Sequence, residues 1–550
     1  MHSSREYNKW LEDVKASEEY LKTKSSYKKW KLYRKAYRSQ YSKSVVPINL
    51  VYAIVKNLIP RVYFRNPHVS VVSKRSGFEG NAMVVEHIDN LLIRELDLRK
   101  VIKALIVDTF LCGFGVLKMG YSYEFGDSFV KEGDDYKLLD KKVEYNTKVK
   151  RNFPWAKRIL PENLLIPPGT YDLDSVPWIG TIYYRPVEDV RKDPRFKHTE
   201  NLQGTAVIEL GEKKREVEMV KLYEVYDKKD WKILTLAEGS GNFLQKADNS
   251  LPVLPIEILT FSESVDTTWF PPSDVESFFP LQLELNEIET QIQAHRRIAV
   301  KRFLYKNGIF GQDPEAALTK FTSEDVGVGI GVDGAPKADI NELALEIPQT
   351  LFQAKDNVLN SIREIVGMSQ NQLGAFVGKT HIAEGEGRRV QGSMEERMSE
   401  RRDEVANFLT RTLEKLNNII FDKWDTTKVE PIIGPDMVEY WVEYKGDQIR
   451  GEYNVQVTGE DIAPLNTEYR MQELTGLVSL LASNPLIDQS ELTRQVVGMV
   501  RGFDGVRLMK PVQSQGGPES PISPREMGNA VISGRMPQVP PAVGSAPQAG

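Results

Sequence analysis

The stretch Ser393–Trp424 constrains this chain most, because its two halves require different surroundings. Val405, Leu409, Leu413, Leu416, Ile420 and Trp424 recur every three or four residues and mark one apolar stripe of a helix. The half before them reads SMEERMSERRDE and carries charge on every face. A helix polar all round bridges solvent or is held by charge pairs along its surface. At roughly 1.5 Å per residue the pattern spans about 48 Å, longer than a small domain is wide. One end belongs in a core and the other in water or against another subunit, which points to an assembly rather than a compact enzyme.

Composition narrows the classes further. With 550 residues, 41% hydrophobic and 27% charged, the chain has ample material for several soluble domains. Its single cysteine, Cys112, excludes an internal disulfide framework and lies in the apolar run TFLCGFGVLKMGY, where a buried thiol is expected. The polar N-terminus carries no apolar signal core. Pro47, Asn49, Lys56 and Asn57 break the longest apolar run, VVPINLVYAIVKNLIP, below membrane-spanning length. A soluble protein, assembled in the cytoplasm and not in a membrane, is expected. Net charge is −5, against a dedicated nucleic-acid binder, yet residues 5–43 hold twelve Lys/Arg against five Asp/Glu.

That N-terminal segment repeats aromatics at helical intervals: Tyr7, Trp10, Tyr27, Trp30, Tyr33, Tyr37 and Tyr41, with Lys28, Lys29, Lys31, Lys35 and Arg38 between them. An arm packing its aromatic face on the body is the first reading. Contact with a nucleic-acid backbone, aided by stacking, is the second; a membrane surface or partner protein is the third. Residues 45–123 alternate helix and short strand patterns, and 125–270 read mainly as β, with a hairpin around Asp227–Asp230. Pro280 sets the expected start of the next helix, whose seam runs Leu281, Leu285, Ile288, Ile292, His295, with His295 packed and neutral. Residues 305–347 read as glycine-rich β structure. Helix patterns follow at Gln349–Val366 and Ser393–Trp424, strands at 437–458 and a small helical bundle at 468–508. The tail 511–550 holds eight Pro and six Gly and cannot bury a core.

Motifs suggestive of chemistry fail on context. Gly374–Thr380 ends like a P-loop but has only three residues between its glycines, and a helix pattern precedes it where a strand is required. Gly329–Gly334 fits GxGxxG but leads to Pro336 and no helix. His381 and Glu384 form only an isolated pair, and no HExxH or GxSxG occurs. No cofactor, metal or catalytic residue is expected.

Four segments in order carry a resemblance. INLVYAIVKNLIPRVYFRNPHVSV, SDVESFFPLQLELNEIETQI, GMSQNQLGAFVGKTHIAEGEGRRVQ and YNVQVTGEDIAPLNTEYRMQEL resemble the first wing helix, the stem helix, the tunnel-loop region and the last wing strand of portal proteins from tailed double-stranded DNA bacteriophages. The likeness covers roughly residues 45–510. It implies an α+β subunit: N-terminal arm 1–44, wing 45–185, short stem segment 186–205, β-rich clip 206–268, stem helix 269–304, second wing part 305–366, tunnel loop 367–392, long helix 393–425, wing strands 426–465 and crown helices 466–510. It further implies a ring of about twelve subunits at the capsid vertex of a virion. Double-stranded DNA would pass through it, with terminase large subunit, major capsid protein, scaffolding protein and head–tail adaptor as partners. Another ring-forming connector is the alternative, and a nucleotide-dependent DNA enzyme a remote one.

Twelve copies of −5 make such a ring repel DNA, which suits a conduit; sparse basic contacts suffice. The residues expected to face DNA are Lys379, Arg388 and Arg389 in the loop. Arg296, Arg297, Lys301 and Arg302 are expected as stem lining. Gly385, Gly387 and Gly392 each cost up to ~1 kcal/mol in a helix, and Ser393 with Glu396 offers a capping box. The long helix is therefore expected to start at Ser393, with a kinked helix from near His381 as the alternative.

Overall fold

A computed structural model describes residues 2–457 except 64, 126–128, 133–134, 139–148, 201, 205, 211–214, 265–266, 299–301, 306–339, 344–346, 368–383, 425–427 and 434–438. The chain is mixed α and β and divides into two compact units. The first comprises residues 1–30, 55–273 and from 387 onward; the second comprises 31–54 and 274–386. The helical bundle expected at 468–508, the tail, the two glycine motifs and the 381/384 pair's histidine lie outside the described residues.

In the first unit, helix α1 (His2–Lys24) contributes to the core. Tyr7 and Val14, about two turns apart, bury against Trp178, Tyr223, Leu234 and Phe243, with Trp10 and Leu11 packed alongside. Ser17 donates to the Ile166 carbonyl at 2.6 Å. The surface that receives α1 is an antiparallel sheet. Its strands are β6 (Leu164–Leu165), β7 (Trp178–Pro186), β8 (Ala206–Leu210), β9 (Arg215–Asp227), β10 (Lys232–Ala237) and β11 (Gln245–Asp248). The expected hairpin forms with Asp227 opposite Lys232. Strand β7 pairs with β9 from Trp178↔Asp227 to Pro186↔Met219, and the short helix α6 (Val187–Lys192) packs on the same sheet. Strand β7, from the expected wing, and strands β8–β11, from the expected clip, are thus neighbours. Backbone pairing makes one sheet of both.

Beyond α2 (Tyr27–Tyr37) and α3 (Leu50–Val62) come β1 (Ser70–Ser73), α4 (Glu79–Glu95) and α5 (Leu98–Cys112). Cys112 is buried, as its apolar setting requires. Gly113 ends α5 with φ 92°, and a Cβ there would lie 2.2 Å from the Pro271 carbonyl oxygen, so the turn into β2 (Phe114–Phe125) needs glycine. After β3 (Phe129–Glu132) and β4 (Asp135–Leu138), β5 (Val149–Ile159) and β12 (Ile256–Thr260) flank β2 in an antiparallel sheet.

The second unit is built on α7 (Asp274–Ile298). The helix begins at Asp274, ahead of Pro280 and not at it. Proline forfeits one hydrogen bond to the preceding turn, and burial of Val275, Phe278 and Phe279 holds that turn in place. Gln282, Asn286 and Thr290, one turn apart, form a polar ladder on α7. Their side chains accept from the backbone amides of Leu50, Ile48 and Val46, each at 3.0 Å. Gln282 also donates to the Ile48 carbonyl at 2.7 Å. His295 is exposed, contrary to expectation, because burial along the seam ends with Ile288 and the last turns of α7 face solvent.

Helix α7 leads to β13 (Arg302–Tyr305), which pairs antiparallel with β14 (Ile340–Leu343), and α8 follows at Gln349–Val366, as expected. Glu289 and Lys355 form an ion pair at 2.5 Å. They lie at similar distances along the chain from the paired Arg302 and Leu343, so α8 runs back along α7.

Helix α9 spans Glu384–Lys423, starting ahead of Ser393 and passing through all three glycines. Their cost of up to ~1 kcal/mol each is small beside the burial downstream, which holds the helix. All six residues of the expected stripe are buried, at most 3% exposed, and Phe408 and Ile419 join them. Strands β15 (Lys428–Ile433) and β16 (Glu439–Tyr444) form a hairpin, and β17 (Tyr453–Gln456) pairs with β1.

Asp89 on α4 is fully buried and accepts from Asn417 Nδ2 on α9 at 3.1 Å. Its other oxygen and Asn417 Oδ1 have no partner. Burial first, then the charges of Glu86 and Glu414, hold its pKa well above the ordinary 3.8, against the lowering effect of the Asn417 bond. With the folded value raised, its contribution to stability is complete below pH 3.8 and is lost as pH rises towards the folded value. Asp89→Asn supplies a permanent donor, so it should stabilise the fold at pH 7 by about 1 kcal/mol, with a gain that shrinks at acid pH; thermal unfolding across pH measures both.

Candidate nucleic-acid interface

Helices α1 and α2 separate the aromatic and basic residues of the N-terminal arm. On α2, Trp30 and Tyr33 are 1% and 2% exposed. Trp30 meets the edge of Phe114, and Tyr33 that of Phe279 at 4.7 Å between centroids. Lys28, Lys29, Lys31, Lys35 and Arg38 all face outward. The aromatic face is thus packed on the protein, and rings buried in this way are not open to stacking with bases. Sequence reading also missed the extent of the imbalance. Between Glu19 and Glu79 there is no acidic residue, while fourteen Lys/Arg occur.

The residues expected to contact DNA fare unequally. Arg296 and Arg297 sit exposed in the last turn of α7, where cations complement the carbonyl end of the helix dipole. Arg302 lies on β13 opposite Leu343. Arg388 and Arg389 occupy early turns of α9, not a loop. The side chains of these last three, and Lys379 and Lys301 altogether, lie outside the described residues.

Further along α9, Arg401 and Arg402 of the charged half contact the protein itself. Arg401 lies over the rings of Phe110 and Phe261, 5.3 and 5.8 Å from their centroids. Arg402, 6% exposed, donates to the Arg61 carbonyl at 2.8 Å. Arg411 and Lys415 both pair with Glu257 on β12, at 2.6 and 2.7 Å. These two border a cavity of about 400 Å³ that also includes Lys228, Asp172, Asp174 and Trp269. Lys228 donates to the carbonyls of Leu173 and Asp174. Burial, more than the charge of Lys415, pushes its pKa down against the pull of Asp174. Each cation in the cavity thus has a counter-charge or carbonyl, an arrangement suited to structure. Among the described residues no group of His, Cys, Asp and Glu is placed to hold a metal, and no helix is long and apolar enough to cross a membrane.

No protein-family model and no curated protein matches the chain.

The two sets of cations should separate in folding experiments. Arg296→Gln with Arg297→Gln should leave stability within about 0.5 kcal/mol. Arg402→Ala, which strands a buried carbonyl, should cost about 1–3 kcal/mol. Urea unfolding followed by circular dichroism distinguishes them.

Proposed function

We propose that this chain is the subunit of a portal-type ring, a non-enzymatic conduit for double-stranded DNA at a capsid vertex, to which a packaging terminase and a head–tail adaptor attach. The observation that carries the reading is the exposed apolar surface of the second unit. Five of the eleven large apolar side chains exposed among the described residues fall in this smaller unit: Leu32, Tyr52, Leu283, Phe352 and Ile365. A subunit of a cyclic ring needs two different surfaces, one for each neighbour. Exposed apolar side chains concentrated on helices suit that role.

The path α7–β13–β14–α8 also suits a stem. Two helices run side by side and are joined through a paired strand segment, with exposed Arg296 and Arg297 where α7 approaches the strands. In this reading the stem is α7 with α8, and the clip is the segment 302–343 between them, in place of 206–268. The sequence 368–383 then takes the place of the tunnel loop ahead of α9, and the resemblance of the four segments supplies the identity of the assembly.

Purified protein should form rings in negative-stain electron microscopy, with a mass many times 62.5 kDa by light scattering, and should hydrolyse no ATP alone. Leu283→Glu with Phe352→Glu should dissociate the rings while leaving helix content unchanged. A wild-type monomer at micromolar concentration would overturn the proposal.

A further inference from the structure

We infer that the outer face of α2 is a docking surface for the phosphate backbone of duplex nucleic acid, separate from any channel lining. At 100° per residue, Lys28, Lys35 and Arg38, the last of them one residue past the helix end, fall within an arc of about 80° on one side of the helix. All three are exposed. The stripe is about 15 Å long, a length over which duplex DNA presents about nine charges at one per ~1.7 Å. Trp30, Tyr33 and Ala36 anchor the opposite side in protein at 2% exposure or less, so the cations are displayed from a fixed support.

Charge complementarity selects the occupant. The stripe lies within the acid-free interval between Glu19 and Glu79, and the carboxylate felt on α2 is that of Glu276, acting on Tyr33 of the opposite, packed face. Single-strand binders add exposed aromatic platforms, whereas Trp30 and Tyr33 are buried here. An interfacial membrane helix inserts an apolar face, and Leu32 is the one large apolar side chain strongly exposed on α2. What remains is a row of point charges, two of them lysines, which binds phosphates without reading sequence.

The test uses the full chain. Lys28→Gln, Lys35→Gln and Arg38→Gln are combined, and binding to a fluorescent duplex of arbitrary sequence is followed by anisotropy from low to moderate salt. The variant should lose tenfold or more in affinity at low salt, and the slope of log K against log salt should flatten by about 2–3. A charge-preserving variant, Lys28→Arg with Lys35→Arg and Arg38→Lys, should bind like wild type. Unchanged affinity and slope in the glutamine variant, with circular dichroism and unfolding midpoint preserved, would overturn the inference. So would tighter binding of a single strand, or binding to phosphatidylserine-containing vesicles but not to duplex. The inference and the ring proposal fail separately. Rings whose duplex binding ignores the substitutions sink only the inference, and a monomer whose binding responds to them sinks only the ring.

Discussion

Glu257 fixes the position of the longest element in the chain. Its carboxylate, 8% exposed, receives Arg411 and Lys415 from successive turns of α9. A buried charge is costly unless it is paired and hydrogen-bonded, so the three groups define one register of α9 against β12. Asn417 on Asp89 and Arg402 on the Arg61 carbonyl agree with that register. A slip by one turn would strand all of them, and the apolar stripe would lose its seats with them. Hydrophobic burial supplies the attraction, and these polar contacts select the alignment.

That anchoring changes the meaning of the charged half of the helix. Arg401 and Arg402 are taken up by rings and a carbonyl of the first unit, so the packed part of the helix reaches upstream to Met398, which is 3% exposed. The three glycines lie upstream of this anchorage. In the proposed ring, the turns beginning at Glu384 would be the portion left for neighbours and channel, fed by the segment 368–383.

Local patterns were legible and long-range pairings were not. The stripe from Val405 to Trp424, the Gln349–Val366 helix and the Asp227–Lys232 turn follow from periodicity and turn chemistry, and each is present. The union of 178–186 with 206–248 in one sheet depends on partners distant in sequence, which strand patterns do not specify. Pro280 misled because proline removes one hydrogen bond without forbidding helical turns that have their own burial. His295 misled because spacing marks a face but not how far its cover extends. Of the candidate site, the alternation of aromatic and basic residues on α2 was readable, including which face packs inward. Arg296 and Arg297 were readable as exposed cations, while pairing of Arg411 and Lys415 with Glu257 depends on a contact across the fold.

The polar ladder of Gln282, Asn286 and Thr290 looks in sequence like a solvated face, yet it grips residues 46–50 by their amides. Recognition of this kind attends to the main chain; within the held segment the Asn49 side chain has its own bonds, to Tyr37, Ser39 and Tyr52. The ladder imposes a two-residue grammar: positions 46, 48 and 50 must offer an N–H, and the positions between them need not. Pro47 obeys that grammar, standing where no donor is requested. Relatives of this chain should tolerate variation at 46–48 and 50 but carry proline at none of 46, 48 and 50.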